Sequence, residues 1–187
     1  MSYAEFVPLM NNKELNGLAQ NRFLDEETQC AIASHKYLLC RQYLAENARL
    51  KPAARDILLA GKAVSVKWNL IRSGNLNELP DVIHSVWLET NHRFRQPWRV
   101  GYTFFTGSFS TLRTPNTPIE TLKDIYLTYY RPRETIEDRS WRPEYWSIRL
   151  LDHPNLDEEL ALVISTSHMA TLQKKAFEKL VALRKRK

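Results

Sequence analysis

At 187 residues and 22.0 kDa the chain is long enough for one domain with a substantial buried core. Its 43% hydrophobic and 26% charged residues suit a soluble fold, while 5 glycines against 9 prolines argue against a glycine-rich nucleotide loop or a β-barrel full of tight turns. The net charge of +6 equals the excess in residues 171–187, which hold 7 bases and 1 acid (7 − 1 = 6), so the pI of 9.4 reflects the tail rather than a basic body.

Cys30 and Cys40 are the only cysteines, too few for a disulfide framework. The stretch Met1–Phe6 lacks the basic flank and continuous apolar run of a secretory signal. No window reaches the ~18 apolar residues of a membrane span. The expectation is a reduced, cytoplasmic protein that makes no membrane contact.

One pattern organises the chain. Leu18-Ala19-Gln20-Asn21-Arg22-Phe23-Leu24 returns as Leu44-Ala45-Glu46-Asn47-Ala48-Arg49-Leu50 after 44 − 18 = 26 residues. It returns as Leu70-Ile71-Arg72-Ser73-Gly74-Asn75-Leu76 after another 70 − 44 = 26, and once more as Leu150-Leu151-Asp152-His153-Pro154-Asn155-Leu156. Such a period signals stacked supersecondary units.

In the first unit Asp25 is placed to cap a helix whose first turn holds Glu26 and Glu27, where the positive end of the macrodipole favours acids. Cys30, Ala31, Ile32 and Ala33 supply its apolar face, and Ser34-His35-Lys36 ends it. A second helix then carries Leu38, Leu39, Tyr43 and Leu44 inward. The second unit opens with Pro52 in a helical first turn, where its missing N–H costs little. Ile57, Leu58 and Leu59 match Ala31, Ile32 and Ala33; Gly61 matches His35, Val66 matches Cys40, and Lys67 matches Arg41.

A third unit starts at Leu76–Pro80, with Val82, Ile83, Val86 and Trp87 spaced for one helical face. Leu88–Phe94 repeats the pattern only 88 − 70 = 18 residues on, so this unit is truncated. The glycine-bounded stretch Gly101–Gly107 has strand-like composition, but within a helical array it reads as helix or irregular packing. Farther on, Thr117 as N-cap, Pro118 at the first helical position and Glu120 form a capping-box sequence, followed by Leu122, Ile125, Tyr126 and Tyr129 at helical spacing. Residues 131–143 are rich in arginine and read as an exposed insertion, after which Pro143 starts another helix. The final unit aligns with the first at 150 − 18 = 132. Asp157 matches Asp25, and a last helix carries Leu172, Ala176, Phe177, Leu180 and Val181 on one face.

The segments around Asn21, Asn47, Thr114-Pro115-Asn116-Thr117-Pro118 and His153-Pro154-Asn155-Leu156 resemble the asparagine–proline core of the leucine-rich repeat variant family. Arg41 and Lys67 resemble that family's valine–arginine step. The asparagine itself is replaced at Ser73, Thr114 and His153. The resemblance implies an all-α fold, an α-solenoid of short helical repeats forming a superhelix of the HEAT-like kind. It would be a single domain over 1–187, with repeats near 18–43, 44–69, 70–87, 88–110, 111–149 and 150–187. The family's best-known member has an iron–sulfur module with clustered cysteines; nothing before Cys30 could ligate a cluster, so no cofactor is expected.

Cys30, His35 and Cys40 invite a zinc reading, yet structural zinc sites pair cysteines two to four apart and complete four ligands. Both cysteines fall at core positions, where a free thiol packs as a small apolar group. The five histidines show no metal spacing, and no metal is expected. No Ser-His-Asp, HExxH, P-loop or GxGxxG pattern is present.

What remains is a set of arginine–aromatic segments: Arg93, Arg95, Trp98 and Arg99; Arg131 and Arg133; Arg139, Trp141 and Arg142. Arginine and aromatic side chains mark protein–protein hot spots, stack on bases and grip phosphates, or cover a core with their stems. Glu137 and Asp138 beside Arg139 could form an acid/base pair, although adjacent carboxylates in a charged loop are more often simply solvated. The sequence therefore points to a non-enzymatic scaffold or adaptor binding a protein or peptide. The alternative is a nucleic-acid-binding helical-repeat protein, with base chemistry of the DNA-glycosylase type as its furthest extension.

Overall fold

The computed structural model describes residues 2–91, 112, 114–130 and 143–186. Among these the regular structure is entirely helical. The helices are α1 (Asn12–Ala19), α2 (Glu26–Ser34), α3 (Leu38–Ala45), α4 (Pro52–Ala60), α5 (Val64–Arg72), α6 (Pro80–Asn91), α7 (Ile119–Ile125), α8 (Pro143–Leu151), α9 (Glu158–Ile164) and α10 (Ala170–Arg184). A 3₁₀ turn at Val7–Leu9 precedes α1, and a π-helical turn at Tyr126–Tyr130 prolongs α7. No helix among the described residues is long and apolar enough to cross a membrane.

Two compact units emerge: residues 1–79 with 88–114, and residues 80–87 with 115–187. In the first, α1 packs on α3 and α3 on α5, forming one rank, while α2 packs on α4 in a second rank. Contacts of α2 with α3 and of α4 with α5 join the ranks. In the second unit α10 packs on both α8 and α9, and α8 contacts the π-helical turn.

Local chemistry explains most helix starts. Asp25 accepts the Thr28 N–H at 2.8 Å and the Thr28 hydroxyl at 3.0 Å, and Thr28 Oγ1 in turn accepts the Tyr3 N–H. Asp157 accepts the Leu160 N–H at 2.7 Å, as its alignment with Asp25 leads one to expect. Pro52 occupies the first turn of α4. Asn11 and Glu14 close a reciprocal capping box on α1. At α7 the helix begins at Ile119, with Pro118 rather than Thr117 in the N-cap position.

The core positions recur at the same interval as the sequence pattern. Ala19, Ala45 and Ile71 are buried, as are Cys40 with Val66 and Ile32 with Leu58. Each fully buried leucine or isoleucine contributes about 1.5–3 kcal/mol. Three expected core residues lie outside it: Leu38 is 41% exposed, Phe177 54% and Val181 51%. On α10 the covered stripe is only Leu172, Ala176 and Leu180, because α8 and α9 cover a narrower sector than the run of apolar residues spans.

Every helix leaves its last carbonyls without an intrahelical partner. At the ends of α1 and α3 some of them are met from the following copy of the pattern. Asn47 Nδ2 donates to Asn21 O at 2.8 Å and Ala19 O at 3.4 Å, while its Oδ1 accepts the Arg49 N–H at 3.0 Å. One interval on, Ser73 Oγ donates to Ala45 O at 2.8 Å, and Asn75 Nδ2 donates to Ala45 O at 2.9 Å and Asn47 O at 3.1 Å. The amide has moved from position 73 to 75 because α5 ends in a Schellman turn. Gly74 takes φ +81° there, with Gly74 N–H on Ile71 O and Asn75 N–H on Leu70 O. The next donor to Ile71 O is Thr114 Oγ1 at 3.4 Å, so the hydrogen-bond series passes from Ser73 to Thr114. In the second unit His153 Nδ1 accepts the Asn155 N–H at 3.1 Å, the role that Asn21 Oδ1 plays for Phe23. Asn155 Nδ2 donates to Thr117 O at 2.9 Å.

Two outcomes are expected. Asn47→Ala takes a donor from the buried Ala19 carbonyl and from the more exposed Asn21 carbonyl, and an acceptor from the Arg49 N–H, and should cost about 1–3 kcal/mol in urea unfolding. Ser73→Ala and Asn75→Ala should each cost about 1 kcal/mol or less, since either donor keeps Ala45 O paired, and the double variant should cost more than their sum. The second outcome concerns pH. The Thr28 hydrogen bonds hold the Asp25 carboxyl below its ordinary value of 3.8. A depressed carboxyl contributes stability above that value and loses it as pH falls through the folded one. The substitution Asp25→Asn removes the titrating group, so the stability gap between wild type and variant should close on acidification below about 3.8, read from urea midpoints across a pH series.

Candidate functional site

All nine arginine and tryptophan residues singled out as binding candidates, Arg93, Arg95, Trp98, Arg99, Arg131, Arg133, Arg139, Trp141 and Arg142, lie outside the described residues, as do Glu137 and Asp138. The described residues do place the remaining chemistry-bearing groups.

Cys40 is fully buried, and its thiol donates to Tyr37 O at 3.0 Å. His35 Nδ1 lies 4.0 Å from Cys40 Sγ and accepts the Tyr37 N–H at 3.1 Å. Burial pushes the Cys40 thiol above its ordinary value. A nucleophilic cysteine needs the opposite shift and an open approach, so Cys40 and His35 do not form a catalytic dyad. Cys30, half-buried on α2, is also raised, first by burial and then by Glu26. Among the described residues no three His, Cys, Asp or Glu side chains converge as a metal site.

The aligned bases Arg41 and Lys67 serve the interior. Lys67 is only 6% exposed and its Nζ lies 2.5 Å from Glu89 Oε2, which offsets part of the cost of burying an ammonium. Arg41 packs its guanidinium beside Gly61, just past the carbonyl end of α4, where a cation suits the helix dipole. A second polar cluster links α6 to α7. Trp87 Nε1 donates to Asp124 Oδ2 at 2.6 Å, Thr128 Oγ1 donates to Asp124 Oδ1 at 3.1 Å, and His84 Nδ1 meets Thr121 Oγ1 at 2.8 Å. Trp87 is 2% exposed, so its ring face is not available to a ligand.

Among the described residues, a surface feature with room for a ligand lies along α10. Where α8 ends, the Asp152 N–H closes back on Ile148 O and Arg149 O, and His153 turns inward beside it. Between this corner and α10 run two open clefts. One, of about 310 Å³, is lined by Ile148, Leu151, Asp152, Lys175, Glu178 and Lys179. The other, of about 240 Å³, continues past His153, Pro154 and Leu156 to Ala182, Leu183 and Arg186. Asp152 and Lys179 line both, joined by an ion pair at 3.3 Å. Both partners are well exposed, so the pair contributes at most about 1 kcal/mol. The clefts are shallow and mixed in charge, suited to side chains of an extended or helical segment rather than to an enclosed small molecule. Sequence periodicity misses this groove, because its lining comes from α8, the turn after it and α10 brought together by packing; the periodicity also assigns Phe177 and Val181, on a different face of α10, to the core, whereas both are exposed.

The thiol environments give a direct check. At mildly alkaline pH, iodoacetamide should label Cys30 slowly and leave Cys40 unmodified until denaturant is added, as followed by intact-mass spectrometry. Comparison with known proteins leaves the site to be read from its own geometry, since no protein-family model, curated protein or solved structure matches the chain.

Proposed function

We propose that this chain is an α-solenoid of short helical repeats, a degenerate relative of the leucine-rich repeat variant proteins, and a non-enzymatic scaffold or adaptor for a protein or peptide partner in the cytoplasm. What supports it is where the polar side chains go. Asn47, Ser73 and Asn75 are committed to carbonyls of the preceding helix end at about the interval of the sequence pattern, and Thr114 to the carbonyl of Ile71 at a longer one. The buried Cys40, Lys67 and Trp87 are likewise committed to neighbours within the fold. Function then falls to outward surfaces, and stacked helix pairs present such surfaces without needing a catalytic pocket. The arginine–aromatic segments from Arg93 to Arg142, which lie outside the described residues, and the α10 groove are the candidates for meeting the partner.

Salt separates this reading from nucleic-acid binding. Labelled duplex DNA should show no mobility shift at low salt, with or without residues 184–187. Affinity that falls steeply with salt would reveal counterion release and replace the scaffold by the nucleic-acid reading. Charge reversal at Arg93, Arg95, Arg131 and Arg133 should weaken partner binding about tenfold or more while leaving the helical circular-dichroism signal intact.

A further inference from the structure

The outward face of α10 carries a pattern that the fold does not use. Ala170, Lys174, Phe177, Val181 and Lys185 succeed one another at spacings of 4, 3, 4 and 4, and all five are exposed. Lys185 keeps helical backbone angles at the C-cap, so the stripe is continuous. Its centre is apolar, with Phe177 54% and Val181 51% exposed, and its ends are cationic.

Of the acids in the second unit four are engaged by other bases, while Glu178, exposed on α10 four residues after Lys174, makes no ion pair among the described residues. Asp152 pairs with Lys179, Glu158 with Arg184, and Asp157 and Glu159 both with Lys123. The Glu159 hydrogen bond raises Lys123 above its ordinary value, a mark of how firmly that carboxylate is held. Lys174 and Lys185 make no ion pair among the described residues. An apolar pair flanked by two unneutralised cations about 16 Å apart, at ~1.5 Å per residue, therefore faces outward.

We infer that this face docks an acidic amphipathic helix of a partner protein, one carrying two apolar residues between carboxylates spaced to meet Lys174 and Lys185. The inference rests on the scaffold reading and names its partner's chemistry. Phe177 is the aromatic anchor and the lysines are its polar rim, the arrangement in which a few residues carry most of the binding energy. A lipid surface fits less well. The main apolar stripe of α10, Leu172, Ala176 and Leu180, is buried within the unit, leaving two apolar side chains where an interfacial helix needs a whole face. Duplex nucleic acid fits less well too, since closely spaced phosphates reward contiguous bases rather than two lysines separated by apolar side chains.

The test uses the full chain and two fluorescein-labelled helical peptides, one with glutamates bracketing a leucine pair at this spacing and one with lysines in place of the glutamates. Anisotropy at physiological salt should show saturable binding of the acidic peptide only. Phe177→Ser with Val181→Ser should weaken it about tenfold. Lys174→Glu with Lys185→Glu should abolish it and admit the lysine peptide instead. These positions are exposed, so all variants should keep wild-type circular dichroism and urea midpoints. Equal binding of both peptides, binding unchanged by the Phe177 and Val181 substitutions, or α10-dependent binding of phosphatidylserine vesicles or duplex DNA in place of the acidic peptide overturns the inference. A native partner held equally by wild type and by all four substitutions, with no acidic-peptide binding, overturns this docking site and leaves the scaffold standing. No partner and no peptide bound by wild type overturns both.

Discussion

The rest of the structure depends on the pairing of helix-end carbonyls. Helices α1 to α5 are 8 or 9 residues long and α9 only 7, so the groups left unpaired at their ends outnumber the internal hydrogen bonds. Such helices are too short to persist alone in water. Each is held by burial of an apolar stripe, and α1, α3 and α5 also by side chains that reach back to their last carbonyls from farther along the chain. Asn47 and the Ser73–Asn75 pair perform this task for α1 and α3, and Thr114 performs it for α5. The stability of one helix pair is thereby tied to the presence of the next. Gln29 adds a cross-stitch of the same kind: fully buried on α2, it donates to Leu24 O and Arg49 O and accepts the Lys51 N–H.

This demand shapes what is left for function. Side chains that would draw attention as reactive groups in a sequence, a cysteine near a histidine, a lysine near a glutamate, a tryptophan near an aspartate, turn out to be satisfying one another in the interior. A buried polar group must be paired or it costs stability, and pairing removes it from chemistry with solvent-borne ligands. The outward surfaces are where unpaired charge and uncovered apolar area coexist, and α10 has both.

Local signals in the chain are legible. Asp25 and Asp157 cap their helices and Pro52 opens α4, because a cap or a proline acts within one turn and needs no knowledge of the rest of the fold. The aligned core positions, Ala19 with Ala45 and Ile71, or Cys40 with Val66, are buried together because equivalent places in successive copies meet equivalent neighbours. Periodicity misleads where a neighbour has to be known. Leu38, Phe177 and Val181 satisfy helical spacing, yet a helix face is covered only as widely as the elements packed against it. Gln29 offers no signal at all, since two of its three backbone partners, Arg49 O and the Lys51 N–H, are brought to it by a distant segment.

The sequence by itself determined that the described residues would form short helices, and where several of them start. Those properties depend on hydrogen-bond chemistry over one turn and on a pattern repeated along the chain. Tertiary packing alone decided that the amide of the third copy acts from Asn75 after a Schellman turn at Gly74, and that Thr114 adds a second donor to the carbonyl of Ile71. It alone decided that Lys174, Phe177, Val181 and Lys185 face outward. Which carbonyls remain unpaired, and which sector of a helix stays uncovered, are properties of the assembled neighbours rather than of any residue's own identity.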